Sequence, residues 1–152
     1  MRTRLIDYLD KAGVRYESME HPLAYTMQEV ASSIHLPGHQ MAKTVIVDLD
    51  GDLAMAVLPA NKKVILQDLR DLTGSERVKF VSEMEFQKRF PDCEIGAMPP
   101  FGNLYGMEVF VEESLCGNEE IAFNAGTHTE IIKMAFADFE RLVEPKVLSF
   151  TT

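Results

Sequence analysis

Cysteine and long apolar segments are both scarce in this sequence. Only Cys93 and Cys116 occur among 152 residues, so we expect no disulfide framework and a reducing, cytoplasmic compartment. No apolar run approaches the roughly 18 residues of a membrane span, and the first residues alternate charged and aliphatic side chains, unlike a signal or transit peptide. The length favours one folded domain over residues 1–152, with no membrane partner.

Positive charge is also in short supply. The 15 Lys and Arg residues are outnumbered by 24 Asp and Glu residues, and the net charge is −9. This acidic excess argues against a protein that binds along the phosphate backbone of a nucleic acid. The lack of a basic helix argues against DNA as a partner. Residues 59–89 are an exception, with seven basic and five acidic side chains. A short contact with the end of a nucleic acid stays open there, beside the plainer interpretation as solvated charge.

Periodicity and turn signals predict a mixed chain of helices and strands. Apolar residues recur at helical spacing before Gly13, and two β-branched runs flank Asp50-Gly51, which is a strong hairpin signal. Two pairs with capping-box spacing predict further helices, one from Thr26 to about Leu36 and one between Ser82 and Pro91. The other predicted elements are strands in 14–21, 77–82, 107–113, 120–126 and 128–134, and helices in 66–74 and 135–143. We expect a mixed α/β (α+β) class with a mixed sheet and packed helices.

Residue types that often carry catalysis are present, but not in the patterns that catalysis requires. His35 and His39 are four residues apart, yet Pro37-Gly38 prevents the shared helical face that this spacing would need. No CxxC, HExxH or GxSxG pattern occurs, so we predict no metal site, no cofactor and no serine nucleophile. Cys93 could be a reactive thiol, although an inert buried cysteine is commoner.

The segment EIGAMPPFGNLYG, residues 94–106, is the most unusual stretch of the chain. Its glycines allow close approach of another molecule, and its adjacent prolines restrict its shape. It is not a phosphate loop, because it lacks the Lys-Ser/Thr ending and the prolines remove N–H donors. Free N–H groups could point at a ligand carbonyl, and a stiff turn between strands is the alternative. The N–H groups in question belong to Gly96, Ala97 and Gly102.

Lys43 begins the strand KTVIV after a loop that contains Gly38. Its ammonium could therefore project into a cleft at the mouth of the strand. Lysines at the starts of strands are more often simply solvated, so the position alone does not decide between the two.

Three segments in this order resemble one known family. They are AKTVIVDLDGDLAMAVLPANKKV, GAMPPFG and FNAGTHTEIIKM followed by a helix, and together they resemble the YbaK/ProX family of aminoacyl-tRNA deacylases. That family is related to the editing insertion domain of bacterial prolyl-tRNA synthetase. The resemblance runs from the first helix to Val143 and implies a compact mixed α/β domain with a curved, mostly antiparallel sheet. It implies hydrolysis of the ester that joins a wrong amino acid to the terminal ribose of a tRNA.

The resemblance also implies a set of site residues. Lys43 matches the family's functional lysine, and the glycine-proline loop contributes Gly96, Pro100 and Gly102. The substrate-binding residues would be the loop positions Met98, Pro99 and Phe101, the turn Ala125-Gly126, and His128. His128 has an equally good interpretation as a histidine on a strand surface. Many relatives carry a hydroxyl residue where this chain has Pro99, so substrate choice need not be shared.

The implied partner is the acceptor end of an aminoacyl-tRNA, which an aminoacyl-tRNA synthetase could deliver. The candidate contacts of residues 59–89 are Lys62, Lys63, Arg77 and Lys79. Two other classes of function stay open. One is a non-catalytic module that binds a small metabolite or amino acid on the same fold, and the other is a protein-interaction domain that uses the acidic residues 105–152.

Overall fold

The structure is a computed structural model that describes residues 4–20, 36–94 and 96–152. Within these ranges no helix is long and apolar enough to cross a membrane. The helix predicted from Thr26 to about Leu36 lies almost wholly outside the described residues, as does His35.

The first two predicted elements are confirmed. Helix α1, Arg4–Ala12, buries Leu5 and Leu9 completely, and Gly13 ends it with φ +69°, a left-handed conformation that glycine adopts without strain. Strand β1, Tyr16–Glu20, follows directly.

The predicted hairpin is also confirmed. Strands β2, Ala42–Leu49, and β3, Asp52–Pro59, pair in antiparallel register around Asp50 and Gly51. Both turn residues have positive φ, +52° and +98°, as a two-residue type I′ turn requires. The Gly51 N–H donates to Asp48 Oδ1 at 2.6 Å, and the Asp50 carboxylate accepts the Glu76 and Arg77 N–H groups.

The remaining elements follow the predicted order with one addition. They are α2, Leu66–Thr73; β4, Val78–Phe80; α3, Glu83–Phe86; β5, Glu108–Glu112; β6, Glu120–Asn124; β7, Glu130–Ala135; α4, Phe136–Val143; and β8, Lys146–Leu148. The Ser82–Glu85 capping box forms, since the Glu85 N–H donates to Ser82 Oγ at 3.4 Å and the Ser82 hydroxyl donates to Glu85 Oε1 at 3.1 Å. The three-residue strand β8 was not predicted.

The strands are divided between two sheets. One has the order β4-β2-β3-β5-β8, with antiparallel β4-β2-β3 and parallel β3-β5 and β5-β8. The other is antiparallel with the order β1-β7-β6. The mixed, mostly antiparallel class is therefore confirmed. The sheets meet where Met41, just before β2, forms a parallel bridge with Ala122 on β6.

Alternating residues of β3 pack into two different cores. Met55 and Val57 belong to the main core together with α1, α4, β5 and β6, whereas Ala56 and Leu58 pack with Leu69 of α2 on the other face. This is the period-two alternation of a strand covered on both sides. Each large aliphatic or aromatic side chain that is fully buried stabilises the fold by about 1.5–3 kcal/mol, so the framework around the junction of the sheets is rigid.

Candidate active site

A small apolar cluster marks the junction of the two sheets. It consists of Met41, Ala60, Ala122 and Ile131, all buried, and we call it the junction cluster. The Ala60 N–H donates to the Met41 carbonyl at 2.8 Å, so the end of β3 is tied to the start of β2 beside the Met41–Ala122 bridge. The cluster forms an apolar base from which β2 and β6 continue side by side.

Lys43 and Asn124 are the next residues on the same side of these two segments. Each lies two positions beyond a member of the bridge, and residues i and i+2 of a strand share a face. Because the bridge is parallel, both side chains lie further along in the same direction. The register of the parallel bridge thus puts Lys43 and Asn124 on the same side of neighbouring segments, each two positions beyond a bridge residue. The family resemblance indicated Lys43, whereas nothing in the sequence analysis indicated Asn124.

Lys43 is a partly desolvated cation. Its side chain is half-buried, and no ion pair within the described residues includes it. Burial, with a smaller contribution from the neighbouring charge of Lys63, lowers its pKa from the ordinary value. A cation held in this way without a carboxylate partner is available to an incoming anion or polarised oxygen.

Asn124 is buried with one unused polar atom. Its residue exposes only 7 % of its surface, and the side-chain oxygen Oδ1 has no hydrogen-bond partner among the described residues. Leaving a buried acceptor unsatisfied costs about 1–3 kcal/mol, which a ligand that donates a hydrogen bond would recover. The sequence did contain a signal, because Asn124 is a polar residue that directly follows the apolar run of residues 121–123 within β6.

The glycine-proline loop and the Ala125-Gly126 turn are joined by backbone hydrogen bonds. The Glu94 N–H donates to the Gly126 carbonyl at 2.7 Å, and the Gly126 N–H donates to the Ala97 carbonyl at 3.0 Å. The Ala97 N–H donates back to the Glu94 carbonyl at 3.1 Å. We call Glu94, Ala97 and Gly126 the loop–turn unit. Since the Ala97 N–H is used inside it, the expectation that this group points at a ligand is corrected.

Positive φ angles explain why two positions in or beside this unit are occupied by glycine. Gly96 has φ +84° and Gly126 has φ +98°, conformations that are costly for residues with a Cβ atom. Gly96 is exposed, whereas Ala125 and Gly126 are buried. Of the three glycines predicted for the site, Gly126 is bonded to the loop residues Glu94 and Ala97 on either side of the segment that contains Gly96, whereas Gly102 lies at the other end of the loop.

His128 is buried beside the loop–turn unit. It exposes 6 % of its surface and precedes β7, so its interpretation as a strand-surface histidine is wrong. Its N–H donates to Glu94 Oε1 at 3.3 Å, and the hydroxyl of the preceding Thr127 accepts the Glu130 N–H at 3.1 Å. Glu94, which sequence reasoning did not single out, thus binds the turn through both its backbone and its side chain.

Several loop residues face the main core. Met98 exposes 5 % of its surface and Phe101 none, and both belong to the main core cluster. The Phe101 ring packs against Phe123 and Phe139 with centroid separations of 5.6 and 5.5 Å. The structure therefore places these side chains beneath the loop and away from an open surface, while Pro99 and Pro100 are buried between them.

Gly102 is required by close packing. A Cβ atom at this position would lie 2.6 Å from the Met107 carbonyl oxygen and 2.7 Å from Val109 Cγ2. The Gly102 carbonyl itself accepts N–H groups from Tyr105 and Met107, each at 2.9 Å. Gly102 accordingly anchors the end of the loop against β5.

Cys93 is an inert thiol in this fold. Burial raises its pKa to about 11, and its sulfur lies 3.3 Å from the Tyr105 hydroxyl. The thiolate form that a nucleophile needs is scarce at neutral pH. The thiol is half-buried, and its raised pKa favours the interpretation as an unreactive cysteine.

The site residues do not line the grooves found elsewhere on the described surface. A groove of about 1150 Å³ runs between β7 and α4, and another of about 920 Å³ lies beside α2 and β4. Neither is lined by Lys43, Asn124 or the loop–turn unit. The chemistry of the candidate site rests on hydrogen bonds and charge at the sheet junction.

Comparison with known proteins places the chain in a family. The family described as the aminoacyl-tRNA editing domain matches residues 21–142. The prolyl-tRNA editing protein ProX of Acetoanaerobium sticklandii is 26 % identical over 146 residues, which are 92 % of this chain and 88 % of the relative. The multifunctional Ser/Thr-tRNA deacylase ProXp-y of Escherichia coli is 26 % identical over 152 residues, covering 97 % of this chain and 90 % of the relative.

A solved structure shares the fold. It is described as a candidate trans-editing enzyme for prolyl tRNA synthetase, superposes with a TM-score of 0.86 at 18 % identity, and the match covers 98 % of this chain and 95 % of that one. Because the family match spans most of the sequence, the chain belongs to the aminoacyl-tRNA editing domain family.

Proposed function

We propose that this protein is a free-standing aminoacyl-tRNA deacylase that hydrolyses the ester of a mischarged tRNA in the cytoplasm. Family membership over residues 21–142 supports the class of substrate. The observations that carry the proposal are a half-buried Lys43 with no ion pair among the described residues and a buried, unsatisfied Asn124 oxygen, each two positions beyond the bridge that joins the sheets. We also propose that residues 1–152 form a single domain.

Hydrolysis of an activated ester requires few catalytic groups from the protein. A water molecule attacks the ester carbonyl, the carbonyl oxygen becomes an oxyanion, and the bond to the ribose oxygen then breaks. The ribose oxygen takes a proton, which leaves a free amino acid and a tRNA with a free hydroxyl. A neighbouring ribose hydroxyl of the substrate can position or deprotonate the water.

The protein's part is to position the ester and stabilise charge. Backbone N–H groups of Ala97 and Gly126 are used inside the loop–turn unit, so we assign side chains to the substrate. The Lys43 ammonium would interact with the substrate's negative charge, and Asn124 Oδ1 would accept a hydrogen bond from a ribose hydroxyl or from the amino group. A single preorganised oxyanion donor is worth on the order of 10²–10³ in rate, and orientation contributes further.

Rejection of the correct amino acid would depend on size. The stiff loop holds Pro99 in a fixed place, and a pocket of fixed size excludes larger side chains, as in sieve editing. Because Pro99 replaces the hydroxyl residue of many relatives, we expect the choice of amino acid to differ among members of the family. His128, buried beside Glu94, supports the same wall from the turn.

Deacylation of labelled aminoacyl-tRNAs tests the proposal. The panel contains alanyl-, cysteinyl-, seryl-, threonyl- and prolyl-tRNA, each incubated with the wild type and with Lys43→Ala. We expect hydrolysis of at least one mischarged species and a loss of about 10²-fold or more in Lys43→Ala. No turnover of any species would contradict the proposal and favour a module that binds an amino acid or metabolite.

Asn124 provides a second, independent variant. Asn124→Ala removes the side-chain amide, and we expect kcat/KM for the same substrate to fall by about tenfold or more, since a polar group that contacts the substrate is lost. Asn103→Ala is the matched control, because Asn103 is exposed and its amide donates to the Tyr8 hydroxyl at 3.3 Å. Equal activity of the Asn124 and Asn103 variants would remove Asn124 from the site.

A further inference from the structure

We propose that Lys63 is a second cation of this site, and that Lys43 and Lys63 together bind the phosphodiester between the last two nucleotides of the tRNA. This inference rests on the proposed function, because it concerns the acceptor end of the same substrate. The sequence names Lys63 only as one of four candidate tRNA contacts in the basic segment 59–89, and neither the sequence nor the family resemblance assigns it to a particular phosphate.

The topology brings the two lysines to the same end of the β2–β3 ribbon. Lys43 is the second residue of β2 and pairs with Leu58 of β3. Beyond β3 the Ala60 N–H is bonded to the Met41 carbonyl at 2.8 Å, and the Lys62 N–H is bonded to the Pro59 carbonyl at 3.0 Å. This turn places Lys63 only three residues after the point at which the chain touches the start of β2.

The backbone at Lys63 is fixed on both sides although its side chain is exposed. Its N–H donates to Thr152 Oγ1 at 3.3 Å, and its carbonyl accepts the Thr152 N–H at 3.1 Å. The adjacent Val64 forms an antiparallel bridge with Thr151. Because the backbone is already fixed here, only the Lys63 side chain would have to be ordered on binding, which lowers the entropic cost.

The two charges lack partners that would neutralise them. In the part of the chain that the structure describes, no ion pair includes Lys43 or Lys63, whereas Lys62 donates to the Thr152 carbonyl at 3.0 Å. The charge of Lys63 acts on Lys43 and contributes to lowering its pKa. In a chain of net charge −9, two neighbouring unpaired ammonium groups form a site that an anion would stabilise.

Substrate chemistry identifies the anion. The esterified amino acid has no free carboxylate, and its amino group is cationic, so the anions near the ester are the phosphates of the tRNA end. The phosphodiester on the 5′ side of the terminal adenosine is the nearest of these. Lysine binds phosphate as a point charge with three donors, which suits two lysines of which one lies on β2 and the other in the segment after β3.

A binding experiment tests the phosphate directly. Adenosine and the dinucleotide CpA, which contains the phosphodiester, are titrated into the protein and followed by NMR chemical shifts at low salt. We expect CpA to bind about tenfold more tightly than adenosine, and Lys63→Met to remove most of that advantage while Lys63→Arg keeps it. Lys11→Met is the control, because Lys11 is an exposed lysine at the end of α1, and it should bind CpA like the wild type.

An activity experiment separates this inference from the proposed function. The substrates are the aminoacyl-tRNA that the wild type hydrolyses and the matching aminoacyl-adenosine, which lacks the phosphodiester. Lys63→Met should lower kcat/KM on the tRNA about tenfold, leave the adenosine ester nearly unchanged, and reduce the slope of log kcat/KM against log salt by roughly 0.7–1.

Failure of the phosphate site and failure of the deacylase proposal would give different results in these experiments. Equal binding of CpA and adenosine by the wild type, or an equal loss on both esters in Lys63→Met, would overturn the phosphate site even if the enzyme is active. Lack of turnover with retained, Lys63-dependent binding of CpA would instead count against the deacylase and leave the phosphate site in place.

Discussion

The fold shields Lys43 partly and Asn124 almost wholly from water, and among the described residues Lys43 has no ion pair and Asn124 Oδ1 no hydrogen-bond partner. Asn124 Oδ1 is unsatisfied among the described residues, and Lys43 is half-buried near Lys63. Both arrangements cost folding free energy, and residues that are unfavourable for stability in this way are concentrated at functional sites. At the scale of single residues, the site is therefore marked by polar groups whose burial costs folding free energy.

Lys43→Met should be inactive and yet no less stable than the wild type. The folded-state pKa of Lys43 is lowered, so between that pKa and the ordinary value of 10.5 the unfolded chain binds more protons. The free energy of unfolding of the wild type therefore increases as pH rises through this window. The variant lacks this increase, because it has no ammonium at this position. Urea unfolding of both proteins from pH 7 upward measures the difference. A variant that unfolds much more easily at pH 7 would contradict the expectation.

Gly102→Ala should destabilise the protein through packing. The added Cβ would meet the Met107 carbonyl oxygen and Val109 Cγ2 well inside contact distance, and overpacking of this kind costs about 1–3 kcal/mol. Gly117→Ala is the matched control, since no atom lies within 4 Å of the Cβ position there, and its free energy of unfolding should change by about 0.5 kcal/mol or less. Similar urea-unfolding midpoints for the two variants would show that the loop shifts at little cost to accommodate the added Cβ atom.

At the scale of elements, the loop and the turn act together because Glu94 joins them. Its backbone N–H and its carboxylate contact Gly126 and His128 respectively. Neither segment alone has a regular secondary structure that would hold its shape. The geometry of the site therefore depends on a contact between residues more than 30 positions apart in the sequence.

Glu94→Ala should impair catalysis while leaving the core intact. Loss of the carboxylate frees the His128 N–H and loosens the turn, and a displacement of about 1 Å in a site can cost on the order of 10²-fold in rate. Glu94→Gln keeps an oxygen that can accept the same N–H, so we expect activity close to wild type. Hydrogen exchange should quicken at residues 126–128 in the alanine variant only. Equal loss in both variants would indicate that the negative charge matters instead of the hydrogen bond.

Local signals in the sequence account for most of the elements. The Asp50-Gly51 hairpin, the Gly13 and Gly74 helix ends and the Ser82–Glu85 capping box were predictable because each depends on a few adjacent residues. The short strand β8 and the division into two sheets were not, because they depend on distant partners. The same holds for the site: Lys43 came from a family resemblance, whereas Asn124 and Glu94 acquire their roles only through contacts with distant segments.

At the scale of the whole molecule, charge limits how the protein meets its substrate. The net charge is −9, and residues 105–152 carry nine acidic against three basic side chains. Such a surface repels most of a tRNA and leaves the basic segment around Lys63 as the point of approach. We infer that the protein touches the acceptor end alone, and that a synthetase could supply the substrate.

The affinity for whole tRNA should accordingly be weak and sensitive to salt. With one phosphodiester neutralised by the two lysines, the slope of log K against log salt should be about −0.7, the value per phosphate for a single strand. Filter binding or fluorescence anisotropy between 50 and 200 mM salt (about the range used for such slopes) measures both quantities. Nanomolar affinity at physiological salt would show a much larger interface than this charge distribution allows.

The loop–turn unit is held largely by main-chain hydrogen bonds, and the positions where residue identity matters are Glu94, through its carboxylate, and Gly126, through its positive φ. Glu94, Ala97 and Gly126 hold one another through N–H and carbonyl groups, so a neighbouring residue such as Pro99 can be exchanged without dismantling the frame. Among the relatives, one is named for prolyl-tRNA and another for Ser/Thr-tRNA. On the proposed function, such a frame would let the choice of amino acid change through new side chains alone, without new architecture.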